Sequence, residues 1–173
     1  MFIELAKSRR SIRRFKEQDV GKGQLKQLID AAQAAPSAGN CQPWYFYVVK
    51  NKRIQAELTA SAYAQGFISA APACIIICTD SKRNEARYAE RGRDLYCIQD
   101  TAAAVQNILL CAKDMGLGTC WVGAFDEAEA ARILSLPENL RPVAIIPVGY
   151  PDEDFRPQSR RPADEIVSFI GED

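Results

Sequence analysis

A chain of 173 residues, 47% hydrophobic and 25% charged, has the length and composition of one compact domain with a real core. Its 22 basic and 22 acidic residues cancel, so no overall field draws it to nucleic acid or a membrane, and any anion site must be built locally. There is no histidine, which excludes Ser-His-Asp and Cys-His catalysis, the usual zinc sites and imidazole acid–base chemistry together.

The start, Met1-Phe2-Ile3-Glu4, lacks the basic and apolar regions of a secretory leader. Apolar stretches are interrupted well before the ~18 residues of a membrane span, so a cytoplasmic protein is expected. Six cysteines (Cys41, Cys74, Cys78, Cys97, Cys111 and Cys120) include no C-x-x-C pair and read as buried, reduced thiols.

In chain order, a short helix is predicted over residues 2–8, followed by the basic stretch Arg9 to Phe15. Leu25, Leu28, Ile29 and Ala32 fall at helical spacing, giving a helix over about 23–35 that Pro36 stops. Tyr45 to Val49 reads as a strand, and a helix over about 51–63 follows. The continuous apolar run Ala73 to Cys78 predicts a strand covered on both faces. The charge-dense stretch Asp80 to Asp94 is a loop or the start of a solvent-facing helix. Ile98 to Met115 is helical and apolar nearly all round, so it has to be buried nearly all round, in the core or in a subunit interface. A strand over Thr119–Phe125, a helix over 126–135, a strand over Pro142–Gly149 with Pro147 limiting its ladder, and a short C-terminal helix from Pro162 complete the chain. Alternating strands and helices place it in α+β or α/β with a central sheet.

Arg9, Ser11 and Arg13 alternate, so in an extended segment two guanidiniums and a hydroxyl face one point. That set suits a phosphate monoester, because arginine's planar fork pairs bidentately with phosphate oxygens. The same stretch also reads as a solvated basic turn. A second pair, Arg160-Arg161, precedes Pro162, and sequence does not show whether the two clusters meet. The loop Pro36 to Trp44 packs two prolines, small residues and two carboxamides between helix and strand, a restricted backbone with donors for the edge of a flat heterocycle. It reads equally as a structural turn anchored by Trp44. Gly116-Leu117-Gly118 contains G-x-G, but it follows a helix and precedes a strand, so the end facing it would repel phosphate. Gly116 or Gly118 is instead a helix C-cap.

Taken in order, R-R-S-x-R, P-S-A-x-N-x-Q-P-W, G-L-G-T-C-W-V-G-A-F, I-P-V-G-Y-P and R-R-P closely resemble the FMN-dependent nitroreductase family over nearly the whole chain. The resemblance implies one domain over 1–173 with an α+β, nitroreductase-like fold. Its central, mostly antiparallel sheet is flanked by helices, in an intertwined homodimer with FMN at the interface. By position, Arg9, Arg10, Ser11 and Arg13 would hold the flavin's phosphate and pyrimidine edge, with Arg160 and Arg161 completing the phosphate site. Pro36, Ser37, Ala38 and Asn40 would come from the partner, and Val122, Gly123 and Ala124 would bring main-chain donors to the N5 edge. The implied activity is ping-pong hydride transfer from NADH or NADPH to a nitroaromatic, quinone or similar small acceptor. The fold also serves flavin destruction and reductive dehalogenation, and a non-catalytic flavin-binding redox sensor is a third reading. Gln158 stands where some members carry a second basic residue, and the pocket-building segment 63–96 is short. Phe67, Tyr88, Tyr96 and Trp121 are candidate pocket walls or ordinary packing.

Overall fold

The computed structural model describes residues 1–154 and 158–171. In chain order the elements are α1 (Phe2–Ser8), α2 (Lys22–Gln33), β1 (Trp44–Val49), α3 (Lys52–Ser61), α4 (Phe67–Ala70), β2 (Ala73–Asp80), α5 (Ser81–Arg91), α6 (Cys97–Asp114), β3 (Gly118–Thr119), α7 (Glu127–Ile133) and β4 (Leu140–Gly149). A π-helical turn over Gly92–Tyr96 joins α5 to α6, so the charge-dense stretch is a helix rather than a loop. The strands lie in the order β1-β2-β4-β3, with every neighbour antiparallel, which settles the fold as α+β.

Strand periodicity makes the two layers of the core. Ala73, Ile75 and Ile77 of β2 pack with Leu25 and Leu28 of α2 and with Val105 and Ile108 of α6. Cys74, Ile76 and Cys78 face the other way, onto Leu58, Ala62, Ile68 and Ala130. The run is thus covered on both faces, as its composition predicts. All six cysteines are free, and burial pushes the Cys74 thiol up to about 11 and the Cys78 thiol up to about 12. Among the described residues, no helix is long and apolar enough to cross a membrane.

Two expectations are corrected. The strand expected over 119–125 is reduced to Gly118–Thr119 and one isolated pair, Val122 with Ile145. Register explains the gap. Gly118 pairs with Gly149 and Val122 with Ile145, so Cys120 falls opposite Pro147, which has no N–H to give. Because Ile145 directs its N–H and carbonyl to Val122, the N of Pro147, two residues on, also turns away from β2, and the β2–β4 ladder is spared. The C-terminal helix expected from Pro162 is a single 3-10 turn over Ala163–Glu165. The described residues around it are exposed, and a short helix without packing partners is not stable.

α6 ends as Gly116 predicts. Gly116 has φ 73°, its N–H bonds Lys113 O, and the Leu117 N–H bonds Ala112 O at 2.8 Å, a Schellman cap that fixes the approach to β3. Within one chain, however, α6 is not buried all round. Ala104, Val105, Ile108 and Ala112 are covered, whereas Ala102, Ala103, Leu110 and Cys111 stay half-buried. Ile108 touches the core from the middle of this helix, so Ile108→Ala is expected to cost about 3 kcal/mol in urea unfolding. A cost below about 1 kcal/mol would contradict this packing.

Candidate functional site

The site begins where α1 stops. Arg9 leaves the helix with extended backbone (φ −63°, ψ 132°), and the chain then runs beside β3. Ser11 pairs with Thr119, and the Ile12 N–H donates to Thr119 O at 2.8 Å. Gly118 permits this approach, since a Cβ there would lie 2.8 Å from the Ile12 side chain. Farther along, Phe15 pairs with Pro151, and the Asp152 N–H donates to Arg14 O at 3.0 Å. The basic stretch is therefore pinned on both sides and is not a free solvated turn.

Glu153 adds the last constraint, accepting the main-chain N–H groups of Arg13 at 2.5 Å and Arg14 at 3.1 Å on one oxygen. The bond from Arg13 is the chief reason its carboxyl titrates below the usual range, helped by that from Arg14.

These residues wall a cleft of about 710 Å³ that contains Arg9, Arg10, Ser11 and Arg13, with Lys113 from the last turn of α6 and Gln158 and Arg160 from the C-terminal segment. The two remote basic clusters do meet, through Arg160. Burial holds the Arg9 guanidinium below its ordinary value, and the neighbouring charges of Arg160 and Arg10 add to this. Arg161 is not among the residues lining the cleft and pairs with Glu165 at 3.3 Å.

Arg13 extends to α4, with its guanidinium 5.6 Å from the Phe67 ring centroid. The turn preceding α4 is tied to Ala124, whose carbonyl accepts from Gln65 Nε2 at 2.9 Å. Of the three expected donors, Val122 is occupied, because its N–H bonds Ile145 O at 3.0 Å. Gly123 and Ala124 are exposed, and their N–H groups have no partner among the described residues.

Pro36, Ser37, Ala38 and Asn40 lie elsewhere on the chain and line none of this cleft. Their loop turns through left-handed backbone at Gly39 (φ 53°) and Asn40 (φ 56°). It is anchored at the Ala38 N–H by Asp100 of α6 at 3.0 Å and at the Gln42 N–H by Ser37 Oγ at 3.0 Å. Asp100 also accepts from buried Asn84 at 2.8 Å.

Sequence reading missed Lys113, Glu153 and Asp100. The one available signal is Asp100, a carboxylate near the start of an otherwise apolar helix. Lys113 and Glu153 reach the site only through tertiary placement.

An antiparallel sheet between helix layers, with a cation-lined cleft where the N-terminal segment crosses β3, defines an α+β protein. More particularly, the chain belongs to the nitroreductase family, whose profile matches residues 6–150. A relative from Methanothermobacter thermautotrophicus, provisionally named NADH dehydrogenase/NAD(P)H nitroreductase, is 35% identical over 156 residues, covering 88% of this chain and 78% of its own. The crystal structure of a nitroreductase family protein from Streptococcus pneumoniae TIGR4 superposes with TM-score 0.90 at 31% identity, over 98% of this chain and all of its own. The NADPH:FMN oxidoreductase from Vibrio harveyi, solved in complex with NAD+, gives TM-score 0.89 at 27% identity, over 99% of this chain and 78% of its own.

Glu153 links this geometry to pH. A carboxyl whose pKa falls on folding stabilises the protein above its unfolded value, near the ordinary 4.5, and loses that contribution as pH drops through the lower folded value. Glu153→Gln is therefore expected to flatten stability against pH below 4.5, measured by urea unfolding from pH 6 downward. An unchanged acid limb would show that the two bonds carry no net stability.

Proposed function

We propose that the chain is an NAD(P)H-dependent flavin oxidoreductase that holds FMN across the interface of a homodimer. The observation that carries the reading is the meeting of Arg9 and Arg160 beside Ser11 in one cleft, where the cationic side chains outnumber the carboxylates of Glu153 and Asp154. A phosphate monoester supplies close to two negative charges and several acceptor oxygens, which fits that donor set. Bound FMN would supply hydride-relay chemistry, from NADH or NADPH to a nitroaromatic, quinone or similar acceptor, in ping-pong order.

The chain's own residues position and polarise. Arg9, Ser11 and Arg160 would grip the phosphate, with Arg10 and Lys113 adding charge and Gln158 a neutral donor. Arg13 leads away from them toward Phe67, so its charge would lie at the pyrimidine edge and favour an anionic reduced ring. The N–H groups of Gly123 and Ala124, without a partner among the described residues, would meet the reactive edge. Without histidine, no imidazole acid or base takes part.

The dimer is supported by apolar surface that one chain leaves uncovered. Phe2 and Ile3 of α1 are 68% and 55% exposed, and Phe169 and Ile170 near the C-terminus are 76% and 97% exposed. With the half-covered side of α6, they offer a second copy the surface an obligate interface buries. The separation of residues 36–40 from their own chain's cleft fits a loop that serves the partner's site.

The activity has a direct test. Under anaerobic conditions NADH or NADPH should bleach the bound flavin, and an added quinone should restore its colour; a fully loaded protein that neither nicotinamide bleaches would contradict the reading. Arg13→Ala should also lower the flavin's reduction potential by tens of millivolts, where ~30 mV is about 1.4 kcal/mol for a two-electron couple. An unchanged potential in loaded mutant would remove Arg13 from that role.

A further inference from the structure

α5 carries three arginines, Arg83, Arg87 and Arg91, all exposed and none in an ion pair among the described residues. Each donates to a neutral acceptor: Arg83 Nε to Cys41 O at 2.8 Å, Arg87 Nη1 to Gly39 O at 2.8 Å, and Arg91 Nε to Tyr96 Oη at 2.9 Å. A guanidinium has five N–H donors, so most of each fork is left for an incoming anion. The helix does not neutralise them itself. Its Glu85 is held by Arg93 at 3.2 Å, its exposed Glu90 forms an ion pair with none of the three among the described residues, and like charges one turn apart, as at Arg83 and Arg87, disfavour a helix.

Aromatic rings stand beside these charges. Tyr88 and Tyr96 meet edge to face at 5.2 Å, Arg87 lies 5.6 Å from the Tyr88 ring, and Arg91 lies 5.3 Å from that of Tyr96. The cluster sits directly on the 36–42 loop. A Cβ at Gly39 would fall 2.7 Å from the Arg87 guanidinium carbon, with the Tyr88 hydroxyl closer still. Flat rings flanked by unneutralised guanidiniums match a ligand that is itself flat and negatively charged.

We propose that the electron acceptor this site selects is an anionic aromatic molecule, a quinone or nitroarene bearing a carboxylate, with its charge drawn by the α5 guanidiniums and its ring against Tyr88. The proposal rests on the reading of the 36–40 loop as part of the flavin site. It concerns recognition only. Reduction of a quinone still consumes one NAD(P)H and one proton and yields hydroquinone and NAD(P)+.

The test compares a naphthoquinone bearing a carboxymethyl arm with the methyl ester of the same molecule, using FMN-loaded protein and NADPH or NADH. The acid should show a KM about tenfold below that of the ester, the value of one charge-assisted hydrogen bond. Arg87→Gln and Arg91→Gln should each reduce that ratio several-fold, and Arg87→Lys should recover part of it. Added salt should raise the KM of the acid more than that of the ester. Equal KM values in the wild-type protein, or a preference unchanged in both variants and insensitive to salt, would overturn the proposal. Should Arg87→Gln not fold, Arg91→Gln and the salt series decide. Loaded flavin that reduces both molecules without preference defeats this proposal alone, whereas a protein that takes no FMN or reduces neither molecule defeats the oxidoreductase reading and this proposal with it.

Discussion

Cations gathered in one cleft repel one another, and folding holds them together only because the backbone around them is fixed. Arg9, Arg10, Arg13 and Arg14 enter on a segment pinned to Thr119 on one side and to the 150–153 stretch on the other. Lys113 arrives on the last turn of α6, and Arg160 returns from far along the chain. Glu153 is placed in the same cleft, but its bonded oxygen is spent on two main-chain N–H groups. A bound anion relieves that repulsion, and the stabilisation is largest where water is partly excluded.

The sheet and α6 make this arrangement stiff. β2 is packed on both faces, so the sheet cannot shift without disturbing two layers of core. The Schellman cap at Gly116 turns the chain from α6 into β3 within a few residues. That turn sets Gly118 against Ile12 and thereby the height of the basic segment over the cleft. The other end of α6 holds Asp100, which fixes the loop at Ala38. One helix therefore positions both the cation-lined cleft and the 36–42 loop.

Local features were legible where local physics decides them. The apolar run at 73–78 foretold a doubly covered strand and Gly116 a helix end, whereas Arg9, Ser11 and Arg13 line one cleft without a common focus, the Arg13 guanidinium running on to Phe67. Pro147 was recognised as a limit on its ladder, but only the register shows that Cys120 is the residue left opposite it. That Arg160 and not Arg161 lines the cleft was not legible, because it depends on which side chain Glu165 captures. Lys113 and Glu153 carry no local mark of their roles. The loss of Val122 as a donor follows from its pairing with Ile145 across the sheet. The row of arginines on α5 was visible as charge, while its contact with the 36–42 loop belongs to tertiary structure.

The cleft's claim on a phosphate can be separated from any affinity for the flavin ring by comparing FMN with riboflavin. In calorimetric titration of flavin-free protein at moderate salt, FMN should bind at least about 100-fold more tightly than riboflavin, as two charge-assisted contacts would give. That gap should shrink sharply when Arg9 and Arg160 are both replaced by glutamine. Equal affinities for FMN and riboflavin in the unaltered protein would contradict the account.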